Sequence, residues 1–117
     1  MTQTILTVDD SRTMRDMLKM ALAEAGFNVL QAVDGVDGLE VLRASTPDVI
    51  VTDINMPKMD GFGLIEAVRK DNRYRKVPIL VLTTESDAAK KMRAKEAGAT
   101  GWIVKPFEPT KLIAAIR

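Results

Sequence analysis

Val49-Ile50-Val51-Thr52-Asp53-Ile54-Asn55-Met56-Pro57 joins a short run of strand formers to a single carboxylate and then to a forced turn. Pro57 cannot continue a ladder, and it biases Met56 away from helix. An apolar run of this length, without alternation, suits a strand covered on both faces, as in a parallel sheet. Open α/β sheets place their ligands just beyond the carboxyl ends of such strands, which is where Asp53 falls. Taken alone, an acid there is also an ordinary turn former or helix cap. Its meaning therefore depends on what the other strand ends deliver.

Working outward, Thr4-Ile5-Leu6-Thr7-Val8 reads as strand one and stops at Asp9-Asp10-Ser11. Asp10 or Ser11 can cap the helix that follows, in which Met14, Leu18, Ala21, Leu22 and Ala25 recur at helical spacing before Gly26 stops it. Met14, Met17 and Met20 on that helix read as core filler and surface. Val29-Leu30-Gln31-Ala32-Val33 is strand two, Asp34-Gly35 a turn, and Leu39, Val41 and Leu42 mark a second helix. Thr46-Pro47-Asp48 punctuates before the central strand. Gly61 opens a third helix, with Leu64, Ile65 and Val68 inward, which ends in the polar loop Asp71-Asn72-Arg73-Tyr74-Arg75-Lys76.

Val77-Pro78-Ile79-Leu80-Val81-Leu82 is strand four, ending at Thr83-Thr84. Glu85-Ser86-Asp87 precedes a fourth helix carrying Met92 and Ala97, with Gly98 as its stop. Gly101-Trp102-Ile103-Val104 is strand five, followed by Lys105-Pro106-Phe107. Pro109 starts the last helix, with Leu112, Ile113 and Ile116 on one face. Strict alternation of strand and helix implies an α/β fold with a parallel sheet and right-handed crossovers. The length of 117 residues suits one domain over 1–117. The final helix reaches the last residue without a stop signal, so the chain reads either as a stand-alone protein or as a piece of a longer one.

Composition narrows the chemistry. Hydrophobic residues at 46% and charged residues at 28% are ordinary for a globular protein and allow one real core. The chain has neither cysteine nor histidine, which removes disulfides, thiolate sites, Cys nucleophiles and the usual general base. A metal would have to sit on oxygen, favouring Mg²⁺, Mn²⁺ or Ca²⁺ over Zn²⁺. Net charge is +1, so no global field argues for nucleic acid, although basic residues cluster at 69–76 and 90–95. No apolar run approaches a membrane span and no signal peptide is visible, which gives a cytoplasmic expectation by default.

In a parallel sheet the carboxyl ends of all strands meet on one edge. That edge would carry Asp9 and Asp10 after strand one, Asp53 after strand three, Thr83 after strand four and Lys105 after strand five. Crowded carboxylates repel, and a hard cation would relieve them, with Lys105 doing part of the same work. Phosphoryl transfer is mostly positioning and charge neutralisation. Asp53 as nucleophile would give an acyl phosphate, with Mg²⁺, Lys105 and the Thr83 hydroxyl each holding an oxygen of the transferred group.

With those residues assembled, the sequence resembles a response-regulator receiver domain of the CheY type over essentially its whole length. The likeness rests on Val8-Asp9-Asp10-Ser11, on 53–61 with its Asp-x-x-Met-Pro-x-Met-Asp-Gly pattern, on Leu82-Thr83-Thr84-Glu85 and on Lys105-Pro106-Phe107, with Asp34-Gly35 in agreement. The resemblance implies a flavodoxin-like doubly wound (βα)5 sandwich of three layers with strand order 2-1-3-4-5, an order of which CheY is itself a standard example. It implies Asp53 as acceptor of phosphate from a CheA-like histidine kinase. Asp10, Asp53 and the Asn55 main-chain carbonyl would hold Mg²⁺ (Mn²⁺ as a substitute), with Asp9 helping through water.

Thr83 and Lys105 would sense the phosphoryl group, and Trp102 would occupy the switch position, with Thr84 and Glu85 modulating. Trp102 is larger than the Tyr or Phe common at that position and has no hydroxyl, so its inward rotation is expected to be restricted, and Thr84 is expected to crowd the phosphoryl site. The resemblance further implies a monomeric signalling domain, not an enzyme, without direct contact to nucleic acid or membrane. Its face of helix four, strand five and helix five would control a partner, foremost a flagellar motor switch protein in chemotaxis, and a phosphatase would end the signal. The basic set Lys90, Lys91, Arg93 and Lys95 would help dock an acidic partner or simply form a solvated face.

Other readings meet obstacles. A receiver cut from a transcription regulator, or a phosphate-sink regulator, fits the same site. A haloacid-dehalogenase-like phosphatase needs an acid two positions after its nucleophile, and Asn55 stands there. A flavodoxin-like electron carrier needs a phosphate-cradling loop after strand one, where this chain is acidic, and aromatics, which are only 4% of it. A receiver-shaped scaffold that is never phosphorylated would have no use for the full set Asp9, Asp10, Asp53, Thr83 and Lys105.

Overall fold

The structure is a computed structural model that describes residues 2–117. Strands β1 (Thr4–Val8), β2 (Asn28–Ala32), β3 (Val49–Thr52), β4 (Ile79–Thr83) and β5 (Gly101–Val104) form one parallel sheet in the order β2-β1-β3-β4-β5. Helices α1 (Arg12–Glu24), α2 (Gly35–Ala44), α3 (Gly61–Lys70), α4 (Ala88–Ala97) and α5 (Pro109–Ile116) alternate with them. This is the doubly wound fold and the strand order that the resemblance implied.

Side chains along each strand point alternately to the two faces, so each strand feeds two cores. Val49 and Val51 of β3, with Ile5, Leu80 and Leu82, pack on Leu18 and Leu22 of α1 and Leu112 of α5. Ile50 of the same strand, with Leu6, Val8, Ile79 and Val81, packs on Leu42, Leu64, Ile65 and Val68 under α2 and α3. All four residues of β3 are buried, which explains why its sequence is apolar rather than alternating.

Local chemistry sets the helix ends. Ser11, Asp34, Asp60 and Asp87 are the N-caps of α1, α2, α3 and α4, each accepting a hydrogen bond from an amide two or three residues on. Gly26 and Gly98 follow α1 and α4 with φ of +95° and +117°, conformations that a side chain disfavours.

Several expected features shift. β2 starts at Asn28, because Asn28 pairs with Thr4 and its amide bonds the Gln3 carbonyl. Val33 therefore falls outside the ladder, and its amide goes to the Asp37 carboxylate at 2.9 Å. Asp34-Gly35 is not a free turn: Asp34 caps α2, and the Gly35 amide reaches the Met59 carbonyl at 3.1 Å. β4 begins only after Pro78, which has no N–H to give the ladder, and it runs one residue further, to Thr83.

The polar loop after α3 holds a short 3₁₀ turn, Asn72–Tyr74, that the sequence reading missed. It is anchored by Tyr74, whose buried hydroxyl donates to the Leu42 carbonyl at 3.1 Å. Met92 is exposed, and α4 buries only Ala94. The end of α4 is instead held by Arg69, whose Nε and Nη2 donate to the Gly98 carbonyl at 3.0 and 2.9 Å. Burial away from water holds the Arg69 guanidinium pKa below its ordinary value.

Candidate functional site: an acidic cluster with a bridging lysine

Backbone bonds that extend the ladders past the strand ends fix the site residues. The Asp9 amide donates to the Ala32 carbonyl (3.1 Å), the Asp53 amide to the Val8 carbonyl (2.9 Å) and the Lys105 amide to the Thr83 carbonyl (2.8 Å). Asp9, Asp53 and Lys105 thus each sit one step beyond a strand and inherit the precision of the sheet.

Asp9, Asp10 and Asp53 bring one carboxylate oxygen each to within 4.8 Å of one another. Asp9 and Asp53 are buried and Asp10 is exposed. Lys105 Nζ lies between the two buried acids, 2.8 Å from Asp9 Oδ2 and 2.9 Å from Asp53 Oδ2. The remaining oxygens of that pair are also engaged: Asp9 Oδ1 accepts from the Ser11 amide (2.9 Å) and Asp53 Oδ1 from the Ile54 amide (2.6 Å). Arg15 Nη1 braces the Asp9 carbonyl at 2.8 Å. Of the three acids, Asp10 is the least committed.

Burial works against the Lys105 charge. The hydrogen bonds to Asp9 and Asp53 and the charges of both outweigh it, so its pKa lies above the ordinary lysine value. The stability from this pairing is therefore complete below the ordinary lysine pKa and fades as pH rises through the raised folded value. Lys105→Met is expected to destabilise the metal-free chain by about 3 kcal/mol near neutral pH, because two buried carboxylates would lose their shared cation. Urea unfolding with and without Mg²⁺ checks this, and Mg²⁺ should raise the midpoint of the variant more than that of the parent.

A second layer centres on Glu85, which follows β4. Thr83 is fully buried, and its hydroxyl accepts from the Glu85 amide at 3.3 Å. Glu85 Oε1 accepts from Asn55 Nδ2 (3.2 Å) and from Lys90 Nζ (3.1 Å). The hydrogen bond from Asn55, then the bond and charge of Lys90, hold the Glu85 carboxyl below its usual range. Trp102 Nε1 donates to the Glu85 carbonyl at 3.1 Å. The indole thus supplies a donor where a tyrosine would use its hydroxyl, and the partly buried ring already leans on the loop after β4.

The strand ends therefore bring Asp9, Asp10, Asp53 and Lys105 together, with Thr83, Asn55 and Trp102 tied in through Glu85. Thr84 is exposed. The basic set of α4 divides: Lys90 pairs with Glu85, and Arg93 stacks 4.1 Å above the Phe62 ring, so neither is a bare docking charge. Arg15 and the bridging use of Lys90 escaped the sequence reading. Lys90 could have been found from the Asp87 cap, which starts the helix so that Lys90 rises in its first turn beside Glu85.

The donor set is hard oxygen without imidazole or thiolate, so the cluster fits a small divalent cation such as Mg²⁺. One doubly wound parallel sheet thus gathers three acids and a lysine at its carboxyl edge. The profile of the family described as "Response regulator receiver domain" matches residues 5–117, and the chain belongs to this family. It is a receiver domain of a two-component response regulator.

Chemotaxis protein CheY1 of Helicobacter pylori (strain J99) is 44% identical over 110 residues, covering 92% of this chain and 89% of that protein. A probable transcriptional regulator, ycf27, of Guillardia theta is 41% identical over 97% of this chain but only 43% of its own length. The solved structure of chemotaxis protein CheY4 of Vibrio cholerae superposes with a TM-score of 0.95 at 43% identity, covering 99% of this chain and 97% of that one. Among the described residues no helix is long and apolar enough to cross a membrane.

Proposed function

We propose that this chain, as one receiver domain over 1–117, accepts a phosphoryl group on Asp53 from a phosphohistidine of a CheA-like histidine kinase. The observation that carries the reading is the lysine bridge, which sets Asp53 beside a cation while two further acids leave room for a metal. Asp10, Asp53 and the Asn55 carbonyl would hold Mg²⁺, with Asp9 reached through water; when bound, the ion supplies positive charge to the transferred oxygens.

An Asp53 carboxylate oxygen forms the new bond to phosphorus. The P–N bond of the donor breaks, and the imidazole keeps the electron pair and regains its proton from solvent. Lys105, already 2.9 Å from Asp53 Oδ2, turns from that oxygen to one on phosphorus. The Thr83 hydroxyl donates to another, giving up its contact with the Glu85 amide. That movement loosens the loop to which Trp102 is bonded and biases the face of α4, β5 and α5 between two arrangements. Asn55, standing where a phosphatase would keep its acid, can neither protonate a leaving group nor deprotonate an attacking water, so the phosphoryl group persists as a signal.

Chemotaxis is the preferred setting, with a flagellar motor switch protein as partner, a separate phosphatase and a cytoplasmic location. Its support is the likeness to CheY proteins over nearly their full length. The second reading, a receiver of a transcription regulator, is favoured by the ycf27 match. Incubation with a small phosphodonor and Mg²⁺ tests the core of the proposal. Intact mass should rise by one phosphoryl group, a chelator should prevent it, and Trp102 fluorescence should change in step. Catalytic turnover of phosphomonoesters would replace the proposal with a phosphatase. A mass gain without a fluorescence response would remove Trp102 as the switch.

A further inference from the structure

We propose that Lys90 is a positioning residue for phosphoryl uptake: it neutralises and pins Glu85 at the rim of the site, and so determines how readily a doubly charged phosphodonor is accepted. This rests on the reading of Asp53 as acceptor. Every polar group of Glu85 is engaged. Its amide goes to Thr83, its carbonyl to Trp102, and its carboxylate to Asn55 and Lys90. The first three partners belong to the site or its switch. Lys90 comes from the first turn of α4 and, among the described residues, is the one charged partner of that carboxylate.

Charge makes this contact matter. Lys105, inside the site, is committed to Asp9 and Asp53. Two further carboxylates are open to solvent: Asp10, in the acid cluster itself, and the part-exposed Glu85, held by Asn55 two residues after Asp53. A dianionic donor approaching Asp53 meets both, and Lys90 is what offsets the second. Without Lys90, Glu85 would keep only the uncharged Asn55 amide. Its carboxylate would then add to the negative potential and be free to swing across the entrance.

Two donors that differ in charge isolate the effect. Acetyl phosphate is a dianion near neutral pH; Asp53 bonds to phosphorus as the P–O bond to acetate breaks, and acetate leaves with the electron pair. Phosphoramidate carries one net negative charge; its P–N bond breaks, and the already protonated nitrogen leaves as ammonia with the pair. Initial rates of mass gain are measured in Mg²⁺ for the parent, Lys90→Gln, Lys90→Arg and the double variant Lys90→Gln with Glu85→Gln.

Lys90→Gln should slow uptake from acetyl phosphate roughly threefold or more at low salt, and uptake from phosphoramidate by clearly less. Lys90→Arg should restore the parent ratio, and removing the Glu85 charge in the double variant should recover the lost rate. Equal slowing with both donors, no slowing, or failure of the double variant to recover would overturn the role of Lys90. No uptake by the parent chain from either donor would instead overturn Asp53 as acceptor.

Discussion

Asp53→Ala is expected to stay folded and to lose phosphoryl uptake by at least about a thousandfold, because the substitution deletes the oxygen that forms the new bond. The fold should survive, since Asp53 lies one residue past β3 and the apolar packing of Val49, Ile50 and Val51 is untouched. Lys105 would keep its ion pair with Asp9 at 2.8 Å, so the substitution leaves no buried lysine without a partner. It also removes one member of a crowded acid cluster, which should leave the metal-free unfolding midpoint level or higher. A time course of intact mass with a small phosphodonor and Mg²⁺ measures the loss. Uptake at the parent rate would place the nucleophile on Asp9, Asp10 or a hydroxyl.

Gly61→Ala is expected to be the most damaging small substitution near the site. A Cβ at Gly61 would overlap the Asp53 carbonyl oxygen and lie 2.8 Å from Ile54 Cα and 2.9 Å from Ile54 Cδ1. Two of these obstacles are backbone atoms and cannot rotate away. They belong to the segment that aims Asp53, and the Gly61 amide donates to the Ile54 carbonyl at 2.9 Å. The loss should be on the order of 3 kcal/mol, with slower phosphoryl uptake because the acceptor is displaced. Gly63→Ala is the control. Its added carbon would sit 3.1 Å from Met59 Cγ, the stem of a flexible side chain, and the gain in helix propensity works in its favour. Urea unfolding of the pair should separate them clearly, and equal midpoints would contradict the close approach at Gly61.

The parts of this molecule that depend on local pattern were legible in the sequence. The apolar run of β3, the cap of α1 at Asp10 or Ser11 (Ser11 in the structure) and the stops Gly26 and Gly98 follow from residue chemistry acting within a few positions. So did the gathering of Asp9, Asp10, Asp53 and Lys105, because parallel strands leave their carboxyl ends nowhere else to go. What remained hidden depends on contacts between distant elements. The start of β2 at Asn28 is set by pairing with Thr4, and the seat of Tyr74 by the Leu42 carbonyl. Met92 reads as a core residue by type but lies on a helix that buries only Ala94.

Glu85 shows the same division within the site. Its position after β4 was readable, but its role as a joint is a matter of three-dimensional reach. Asn55, Lys90 and Trp102 come from three other parts of the chain and meet on one side chain and its backbone. The indole also changes the expectation for Trp102. Its N–H finds the Glu85 carbonyl, so lack of a hydroxyl does not deprive the ring of a hydrogen bond.

Chemical identification of the acceptor tests the phosphoryl site most directly. Borohydride reduces an acyl phosphate to an alcohol, so the phosphorylated parent chain can be reduced, digested and read by peptide mass spectrometry. The expected result is homoserine at position 53 and at no other acidic position, dependent on Mg²⁺ during phosphorylation. Homoserine at position 9 or 10, or a phosphoryl group that survives borohydride on a serine or threonine, would contradict Asp53 as the acceptor.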